Sequence, residues 1–343
     1  MSFSQITIKD IARELGISPS TVSRALKDHP DISTATKKAV NELAQKLNYQ
    51  PNIVALSLRS KKTNTLGVVI PEVVHFFFST VINGIESVAH QAGYSVILAQ
   101  SRESAKVEAG SLKTMFNSRV DGILLSISRE TTDVEHIEWI MKRGMPLVFF
   151  DRKYDMPSVS SVTVDDYAGA KKAVKHLIDQ GNKKIMHIKG PSHLLITVDR
   201  YRGYADALKE AGIPEDTNLL FSCETGEIGE ACEEIKKRLP KEQPEAIFAS
   251  TDPLAIGAIK GIKEMGLSVP NDIAVAGFSN WQNGEFMQPT LTTVDQPGFE
   301  MGQEAAKLLI SQIEQKMKDK LDPVPVSKVL DTKLIVRESS IRK

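Results

Sequence analysis

The sequence TIKDIARELGISPSTVSRAL, residues 7–26, decides how the first part of the chain folds. It predicts two short helices that cross at a steep angle through a tight turn. Ala12 is small enough for the helices to approach closely, and Gly16 adopts the positive φ that the turn requires at little cost. Apolar residues fall where two amphipathic helices bury a shared core: Ile11, Leu15, Ile17, Val22 and Leu26.

The second helix has a clear beginning and an unusual outer face. Ser18 is a good N-cap, and Pro19 follows at the first helical position, where its missing N–H costs nothing. The face consists of small polar residues and one arginine: Pro19, Ser20, Thr21, Ser23 and Arg24. An ordinary αα-hairpin with a polar outer face would show the same apolar periodicity. It would not be expected to combine the small residue Ala12, the turn glycine Gly16, the Ser18-Pro19 start and this outer face. We therefore interpret residues 7–26 as a helix-turn-helix that enters the major groove of DNA.

The charge distribution agrees with this interpretation. The 343 residues carry 43 basic and 43 acidic side chains, but residues 1–62 hold ten Lys or Arg against five acids. A basic head of charge +5 on an acidic body of charge −5 favours a polyanion-binding module joined to a part that avoids DNA.

A third helix and a linker follow the first two helices. Residues 33–47 predict a helix capped by Ser33, and Pro51 begins a short helix that ends near Arg59. A helix of about eight residues is unstable alone in water. It either lies on the body, or it is a hinge that folds beside its twin on DNA, with Leu58 wedged between base steps of the minor groove. We expect a helix-turn-helix domain over 1–49, a hinge over 50–63 and a body over 64–343.

The body predicts an α/β fold. Seven apolar runs, near residues 66, 95, 122, 146, 185, 246 and 273, alternate with helices, which is typical of buried parallel strands. Ten or so such units in all exceed one sheet and suggest two. An internal echo supports two related lobes: Gly84 precedes Ala92-Gly93 by the same spacing as Gly203 precedes Ala211-Gly212.

Ligands bind at the carboxyl ends of parallel strands, and the residues there are aromatic or polar. They are His75, Phe76, Phe77, Phe78, Ser126, Asp151, Arg152, Arg200, Thr251, Asp252, Ser279, Asn280 and Trp281. The set suits a polyhydroxylated ligand, with Arg200 the strongest candidate. Simpler roles remain open, because one of the phenylalanines fits the core, Asp252 fits the cap of a helix over 253–265, and Asp151 fits a surface ion pair with Arg152.

Other function classes find little support. Residues 1–343 contain no run that predicts a membrane span or a signal peptide, so we expect a cytoplasmic protein associated with the nucleoid. Cys223 and Cys232 lack the spacing of a metal or redox site, and we expect neither metal nor cofactor.

A nucleotide-dependent enzyme would need a Gly-rich phosphate loop, and the sequence shows none after its predicted strands. A sugar receptor without a regulatory role is the alternative that the body alone would support.

The whole chain resembles the LacI/GalR family of bacterial transcription regulators. The head and hinge carry the motifs Thr7-Ile8-x-Asp10-Ile11-Ala12, Gly16-x-Ser18, Thr21-Val22-Ser23-Arg24-Ala25-Leu26 and Asn48-Tyr49-x-Pro51-Asn52. The body carries Phe150-Asp151-Arg152, Val164-Asp165-Asp166, Gly190-Pro191, Arg200-x-x-Gly203-Tyr204 and Leu291-Thr292-Thr293-Val294.

The resemblance implies a homodimeric repressor, two heads of which bind a pseudo-palindromic operator in double-stranded DNA. It implies DNA contacts from Thr7, Ser18, Pro19, Ser20, Thr21, Ser23, Arg24, Thr36, Tyr49, Asn52, Ala55 and Leu58. It also implies a body like periplasmic sugar-binding proteins, with two doubly wound parallel-sheet lobes that the chain links near 160–165, 288–294 and 320–328. The implied effector contacts are Phe77, Phe78, Ser126, Asp151, Arg200, Thr251, Ser279 and Gln296.

The sequence departs from the family pattern in the effector site. Ser279 stands where many relatives carry an aspartate, and Ser126 and Thr251 stand where an asparagine is frequent. A hydroxyl cannot hold two neighbouring sugar hydroxyls as a carboxylate does. A carbohydrate is the expected effector, with a purine or a protein partner as the alternatives.

Overall fold

The computed structural model describes residues 6–49, 62–74, 76–321 and 323–342. The chain divides into two compact units, Met1–Thr63 and Asn64–Lys343. The expected hinge helix, with Asn52, Ala55 and Leu58, lies outside the described residues, as does His75. Within the described ranges, no helix combines the length and apolar character that a membrane crossing needs.

The first unit contains three helices around one small core. They are α1 (Ile8–Leu15), α2 (Pro19–Leu26) and α3 (Thr34–Lys46). Gly16 ends α1 in the left-handed conformation, with φ +64°, as the turn requires. Ile11 and Val22 are fully buried beside Val40 of α3, which confirms the expected shared core.

The second unit consists of two α/β lobes. The first sheet contains β1 (Thr65–Ile70), β2 (Ser95–Gln100), β3 (Gly122–Leu125), β4 (Leu147–Phe150), β5 (Ser160–Val164) and β11 (Ser327–Leu330), in the order β11-β5-β4-β3-β1-β2. The second contains β6 (Ile185–Lys189), β7 (Leu220–Ser222), β8 (Ala246–Ala249), β9 (Ala274–Phe278), β10 (Thr292–Asp295) and β12 (Lys333–Ile335), in the order β12-β10-β9-β8-β6-β7. All neighbouring strands are parallel except β12, which runs antiparallel to β10.

Helices cover both faces of each sheet. The N-lobe is built on the first sheet and has α4 (Phe76–Gln91), α5 (Ala105–Asn117), α6 (Glu135–Met141) and α12 (Gly298–Asp319). The C-lobe is built on the second and has α7 (Asp166–Asp179), α8 (Leu195–Glu210), α9 (Ile228–Glu242), α10 (Asp252–Glu264) and the short α11 (Asn283–Phe286). The predicted pair of doubly wound lobes is therefore confirmed.

The internal echo marks equivalent helices of the two lobes. Gly84 lies in α4 and Gly203 in α8, and each helix follows the first strand of its lobe. A Cβ at Gly84 would collide with the carbonyl oxygen of Phe299, and one at Gly203 with that of Tyr167. The two glycines thus serve the same purpose, a close approach between two helices on one face of a sheet.

The chain passes between the lobes at residue 165, at 296–297 and at 331–332. The first passage agrees with the expected 160–165. The others come later than 288–294 and 320–328, because β10 and β11 are each complete before the chain leaves its lobe.

Candidate functional site

The outer face of α2 is the first candidate site. Ser18 caps the helix, because its Oγ accepts a hydrogen bond from the Thr21 backbone N–H at 3.1 Å. Ser18, Pro19, Ser20 and Arg24 are exposed. Small side chains and an exposed arginine on a helix this short can approach base edges closely.

The other expected DNA contacts cluster at the beginnings of the helices. Thr7 is exposed at the N-terminus of α1, where its N–H and its Oγ1 donate to the Asp10 carboxylate at 2.9 and 2.7 Å. The half-buried Thr36 follows the N-cap of α3 in the same way that Thr21 follows that of α2. Three helix N-termini thus present backbone N–H groups of the kind that bind phosphate. Ser23 and Tyr49, the remaining expected DNA contacts within the described residues, are half-buried.

The second candidate site is a cleft between the N-lobe and the C-lobe, with about 920 Å³ of empty space that is partly continuous with solvent. We call it the interlobe cleft. Its walls are formed by Phe76, Phe77, Phe78, Arg129, Asp151, Arg152, Gly190, Pro191, Leu194, Ile196, Thr197, Arg200, Gly226, Ser250, Thr251, Pro253, Leu254, Ser279, Trp281 and Gln296. Most come from loops at the carboxyl ends of strands, as expected for parallel sheets.

Arg200 lies in the floor of the cleft and is fixed from three sides. Its Nε and Nη2 donate to Oδ1 of Asp166, both at 2.7 Å, and its Nη1 donates to the carbonyl of Ser250 at 2.6 Å. The guanidinium lies over the ring of Phe278, 3.8 Å from the ring centre. Burial raises the pKa of Asp166 to about 6, although the neighbouring guanidinium opposes the shift. Arg200 is therefore a rigid donor rather than a free surface charge.

Asp151 faces the cleft from the N-lobe. It follows β4 with a φ of +57°, in the left-handed region, which is uncommon for non-glycine residues and which Asp adopts more readily than most. Burial raises the pKa of its carboxyl, and Arg152 and Arg200 oppose that shift. Gln296, on the second passage between the lobes, donates weakly to it at 3.5 Å. The Asp151 side chain consequently retains most of its capacity to accept hydrogen bonds.

Glu103 holds two arginines of the cleft. Its carboxylate oxygens both lie 2.9 Å from Nη1 of Arg152, and one accepts the backbone N–H of Arg129 at 2.7 Å. Burial alone would raise the pKa of Glu103, but the guanidiniums of Arg152 and Arg129 hold it below its usual range. The surface pair of Asp151 with Arg152 that the sequence left open is replaced by this buried arrangement, in which Arg152 Nε and Asp151 Oδ2 are 4.0 Å apart.

Several hydroxyl groups of the cleft have unused hydrogen-bonding capacity. Within the described part of the chain, the buried Oγ of Ser250 and Oγ1 of Thr251 have no hydrogen-bond partner. Ser279 adopts a φ of +115° at the end of β9, a strained conformation of the kind found at binding sites. Buried polar groups without partners are costly, so a ligand that satisfies them is stabilised.

Of the eight expected effector contacts, the structure brings seven together in the cleft wall. Ser126 is the exception: it is fully buried and is not part of the cleft wall, and no hydrogen bond of its Oγ is found among the described residues. Phe78 lines the cleft but is mainly a core residue, in edge contact with Phe150. That placement matches the expectation that one of the three phenylalanines belongs to the core.

The expected capping role of Asp252 is wrong. Thr251 is the N-cap of α10, and the Asp252 carboxylate instead accepts from Thr293 Oγ1 at 2.6 Å and from the Trp281 backbone N–H at 2.5 Å. Burial raises its pKa to about 6. Asp252 is fully buried, and a buried carboxylate needs several hydrogen-bond donors. Thr293 of β10 and Trp281 of the loop after β9 supply these donors, whereas the first turn of its own helix does not.

Sequence reasoning missed several cleft residues. Arg129, Leu194, Ile196 and Thr197 lie four or more residues beyond the end of the preceding strand, so a search of the residues directly at strand ends passes over them. Leu194 belongs to the C-lobe but packs into a hydrophobic cluster of the N-lobe, and His193 contacts the carbonyl of Arg129 at 2.6 Å. A signal was present in the Gly190-Pro191 motif, which precedes this segment.

Both cysteines are buried and unlinked, Cys223 in the core of the C-lobe. Among the described residues, one group of potential metal ligands lies close together: Cys232, Glu233 and Glu264. The ammonium of Lys236 lies 2.6 Å from Glu233 and 3.0 Å from Glu264, so these carboxylates are already paired with a cation.

Two family models match successive parts of the chain. A family model described as "Bacterial regulatory proteins, lacI family" matches residues 7–52. A second, described as "Periplasmic binding proteins and sugar binding domain of LacI family", matches residues 63–327.

Three individual proteins illustrate the likeness. Catabolite control protein A of Priestia megaterium is 36% identical over 317 residues, covering 92% of this chain and 94% of its own. The structure of a transcriptional regulator CelR–cellobiose complex has a TM-score of 0.73 at 28% identity and covers 98% of this chain and 100% of its own. The Lac repressor dimer bound to operator and the anti-inducer ONPF has a TM-score of 0.86 over 99% of this chain and 100% of its own, and at 24% identity it shows the same fold.

Proposed function

The chain belongs to the LacI family of bacterial regulatory proteins, and from that premise we propose that it is a transcription repressor controlled by a small molecule. The head binds an operator in double-stranded DNA, and a carbohydrate in the interlobe cleft changes the affinity of that binding. The protein works in the cytoplasm, on the bacterial nucleoid. The proposal assigns no catalytic step to the chain.

One observation carries the effector part of the proposal. In the described residues, unpartnered buried hydroxyls of Ser250 and Thr251 lie in the same cleft as the underused carboxylate of Asp151 and the fixed guanidinium of Arg200. These protein groups place hydrogen-bond donors and acceptors side by side. They therefore fit the neighbouring hydroxyl groups of a sugar, each of which can donate one hydrogen bond and accept others. Aromatic rings such as Trp281 complete the match, because they cover the apolar faces of a sugar ring. The CelR complex, which holds cellobiose, makes a carbohydrate the first class to test.

The DNA-binding part rests on the face of α2. Arg24 and the small residues before it supply base contacts, and the helix N-termini at Thr7, Ser18 and Ser33 supply phosphate contacts. We assign the twelve residues that the family resemblance implies to this interface, including those of the hinge that lie outside the described residues.

A homodimer fits both the operator and the surface of the N-lobe. Strand β2 is an edge strand, and its Ile97 and Leu98 are exposed on it. Val74, which is 73% exposed, and Val107 lie on the adjoining loop and helix. An apolar edge of this kind is a surface that a second copy covers, and a two-fold dimer requires a pseudo-palindromic site. Sedimentation equilibrium tests this point: a monomer at micromolar concentration would contradict it.

The decisive experiment combines ligand and DNA binding in the full-length protein. A thermal-shift screen of mono- and disaccharides, purines and related anions identifies the ligand, because a ligand well above its Kd stabilises the protein by a few kcal/mol. Operator selection from random duplexes then provides the DNA for titrations with and without that ligand. No enriched sequence would refute the repressor role, and a purine as the stabilising ligand would refute the carbohydrate.

A further inference from the structure

Three guanidiniums reach the interlobe cleft, and each is matched by a nearby carboxylate. Arg200 is paired with Asp166, Arg129 and Arg152 share Glu103, and Asp151 Oδ2 lies 4.0 Å from Nε of Arg152. The formal charge of this set, three cations and three anions, is zero above the pKa values of the acids. Glu72 is a further carboxylate that acts on Arg152, so the three arginines leave no excess positive charge around the cleft.

Glu103 is the member of this set that holds two cations at once. Its carboxylate makes a two-oxygen contact with Nη1 of Arg152 at 2.9 Å, and it accepts the backbone N–H of Arg129 while the Arg129 Nη2 lies 3.4 Å away. Its side chain is only 12% exposed, and it is absent from the cleft wall itself. Glu103 therefore acts on a ligand through the two arginines.

The backbone around Glu103 is shaped for this contact. Arg102 and Glu103 lie in the loop between β2 and α5 with φ values of +52° and +58°. Two successive non-glycine residues in the left-handed region cost about 1–2 kcal/mol each. The charge-assisted hydrogen bonds of Glu103 offset that cost and keep the loop beneath the cleft.

We propose that Glu103 sets the charge balance of the interlobe cleft and thereby restricts its ligand to uncharged molecules, of which neutral sugars are the class that fits. The inference rests on the effector-binding role proposed above. A sugar phosphate or a uronate would bring an unmatched negative charge into a site where every guanidinium already has a carboxylate, which is unfavourable in a desolvated cleft. A neutral polyol uses the same guanidinium N–H groups and carboxylate oxygens through hydrogen bonds alone.

The proposal predicts a change of ligand class when the Glu103 charge is removed. In the Glu103→Gln variant two neighbouring guanidiniums, those of Arg129 and Arg152, lose their shared anion. Paired arginines of this kind bind phosphate and carboxylate groups with charge-assisted hydrogen bonds. The variant cleft should therefore bind anions that the wild-type cleft rejects.

Inorganic phosphate is a direct probe of this change. We would titrate full-length protein by calorimetry at pH 8, with the ionic strength held constant by sodium chloride. The E103Q variant should bind phosphate at least about tenfold more tightly than the wild type. Glu103→Asp, which keeps the charge, should resemble the wild type, and so should Glu86→Gln, which removes an exposed charge of α4 outside the cleft. Adding Arg152→Gln to E103Q should abolish the gain.

Two results would overturn the proposal: phosphate binding by the wild type as tight as by E103Q, or a folded E103Q variant that gains none. If E103Q does not fold, a thermal-shift comparison of the wild type supplies the test, with glucose, glucuronate and glucose 6-phosphate and the equivalent galactose set. Stabilisation by neutral members alone supports the proposal. Stabilisation by charged members alone overturns it but leaves a carbohydrate effector standing, so the two claims fail separately.

Discussion

The buried ion pair of Arg200 and Asp166 gives a prediction for the free energy of unfolding, and its magnitude follows from how deeply Asp166 is buried. Replacing Arg200 with methionine, which has a similar length, removes the guanidinium but leaves the Asp166 carboxylate buried at 6% exposure. Breaking a buried pair in this way costs about 3–5 kcal/mol of unfolding free energy, because the remaining charge is uncompensated. The variant should also lose its response to the effector while its head still binds operator DNA.

The loss should depend on pH, and the sign follows from Asp166. In the wild type its folded pKa is about 6, above the value of 3.8 for a free carboxyl, so its contribution to stability falls as the pH rises from about 4 to about 6 and is constant above that. Without Arg200 the folded pKa rises further, and the decline continues to higher pH. Two pH units separate 6 from 8, so the variant should lose up to about 3 kcal/mol more than the wild type between pH 5 and pH 8.

Urea denaturation followed by tryptophan fluorescence measures this effect. Trp139 and Trp281 are the only tryptophans, and both lie in the unit Asn64–Lys343, so the signal reports that unit within the full chain. Asp166→Asn and the double variant complete a cycle, in which we expect a coupling energy above about 2 kcal/mol. Additive single losses, or a destabilisation by Arg200→Met that is equal at pH 5 and pH 8, would refute the reasoning.

Three further predictions concern DNA contact, helix packing and the contact between lobes. Arg24→Ala should cost about 1–3 kcal/mol of operator binding and much less on unrelated duplexes, measured by fluorescence anisotropy; equal losses would remove Arg24 from base contact. Gly203→Ala should destabilise the protein by about 1–3 kcal/mol in urea, because its Cβ collides with the Tyr167 carbonyl, whereas Gly229→Ala in open space should be neutral or slightly stabilising. Equal effects would contradict the close approach. Leu194→Ala should speed hydrogen exchange in the N-lobe strands that it covers and cost about 2–4 kcal/mol; unchanged exchange there would show that the contact does not hold the lobes together.

The sequence predicts the elements that depend on local patterns. The core of the head, the turn at Gly16 and the apolar strands all follow from periodicity and from the steric freedom of one glycine. Strands such as β5, with the sequence Ser-Ser-Val-Thr-Val, escape prediction because hydroxyl residues interrupt the apolar run, although the structure buries them. Their burial depends on neighbouring strands that lie far away in sequence.

The contacts within the cleft were harder to predict than its location. Arg200 was expected there from its position after a strand, but its partner Asp166 is 34 residues away and follows a different strand. Glu103 and Arg152 are 49 residues apart, and Glu103 does not line the cleft at all. Residue type and position along the chain do not reveal such pairs, because they arise only when the sheets bring separate loops to one edge. The same limit explains Asp252, whose donors come from β10 and from the loop after β9.

Two residues near the cleft lie beside the passages between the two lobes. Asp166 begins α7 directly after the first passage between the lobes, and Gln296 lies on the second. Asp166 holds Arg200 in the C-lobe, and Gln296 contacts Asp151 in the N-lobe. A ligand that binds Asp151 and Arg200 together therefore contacts both lobes through residues that adjoin two of the passages between them. A difference in ligand affinity between two lobe arrangements of about 1–3 kcal/mol changes operator affinity by roughly 5- to 150-fold, and the reciprocal effect of operator on ligand affinity must be equal. Measuring both titrations on one preparation tests this coupling, since unequal factors would show that ligand and DNA do not share one equilibrium between lobe arrangements.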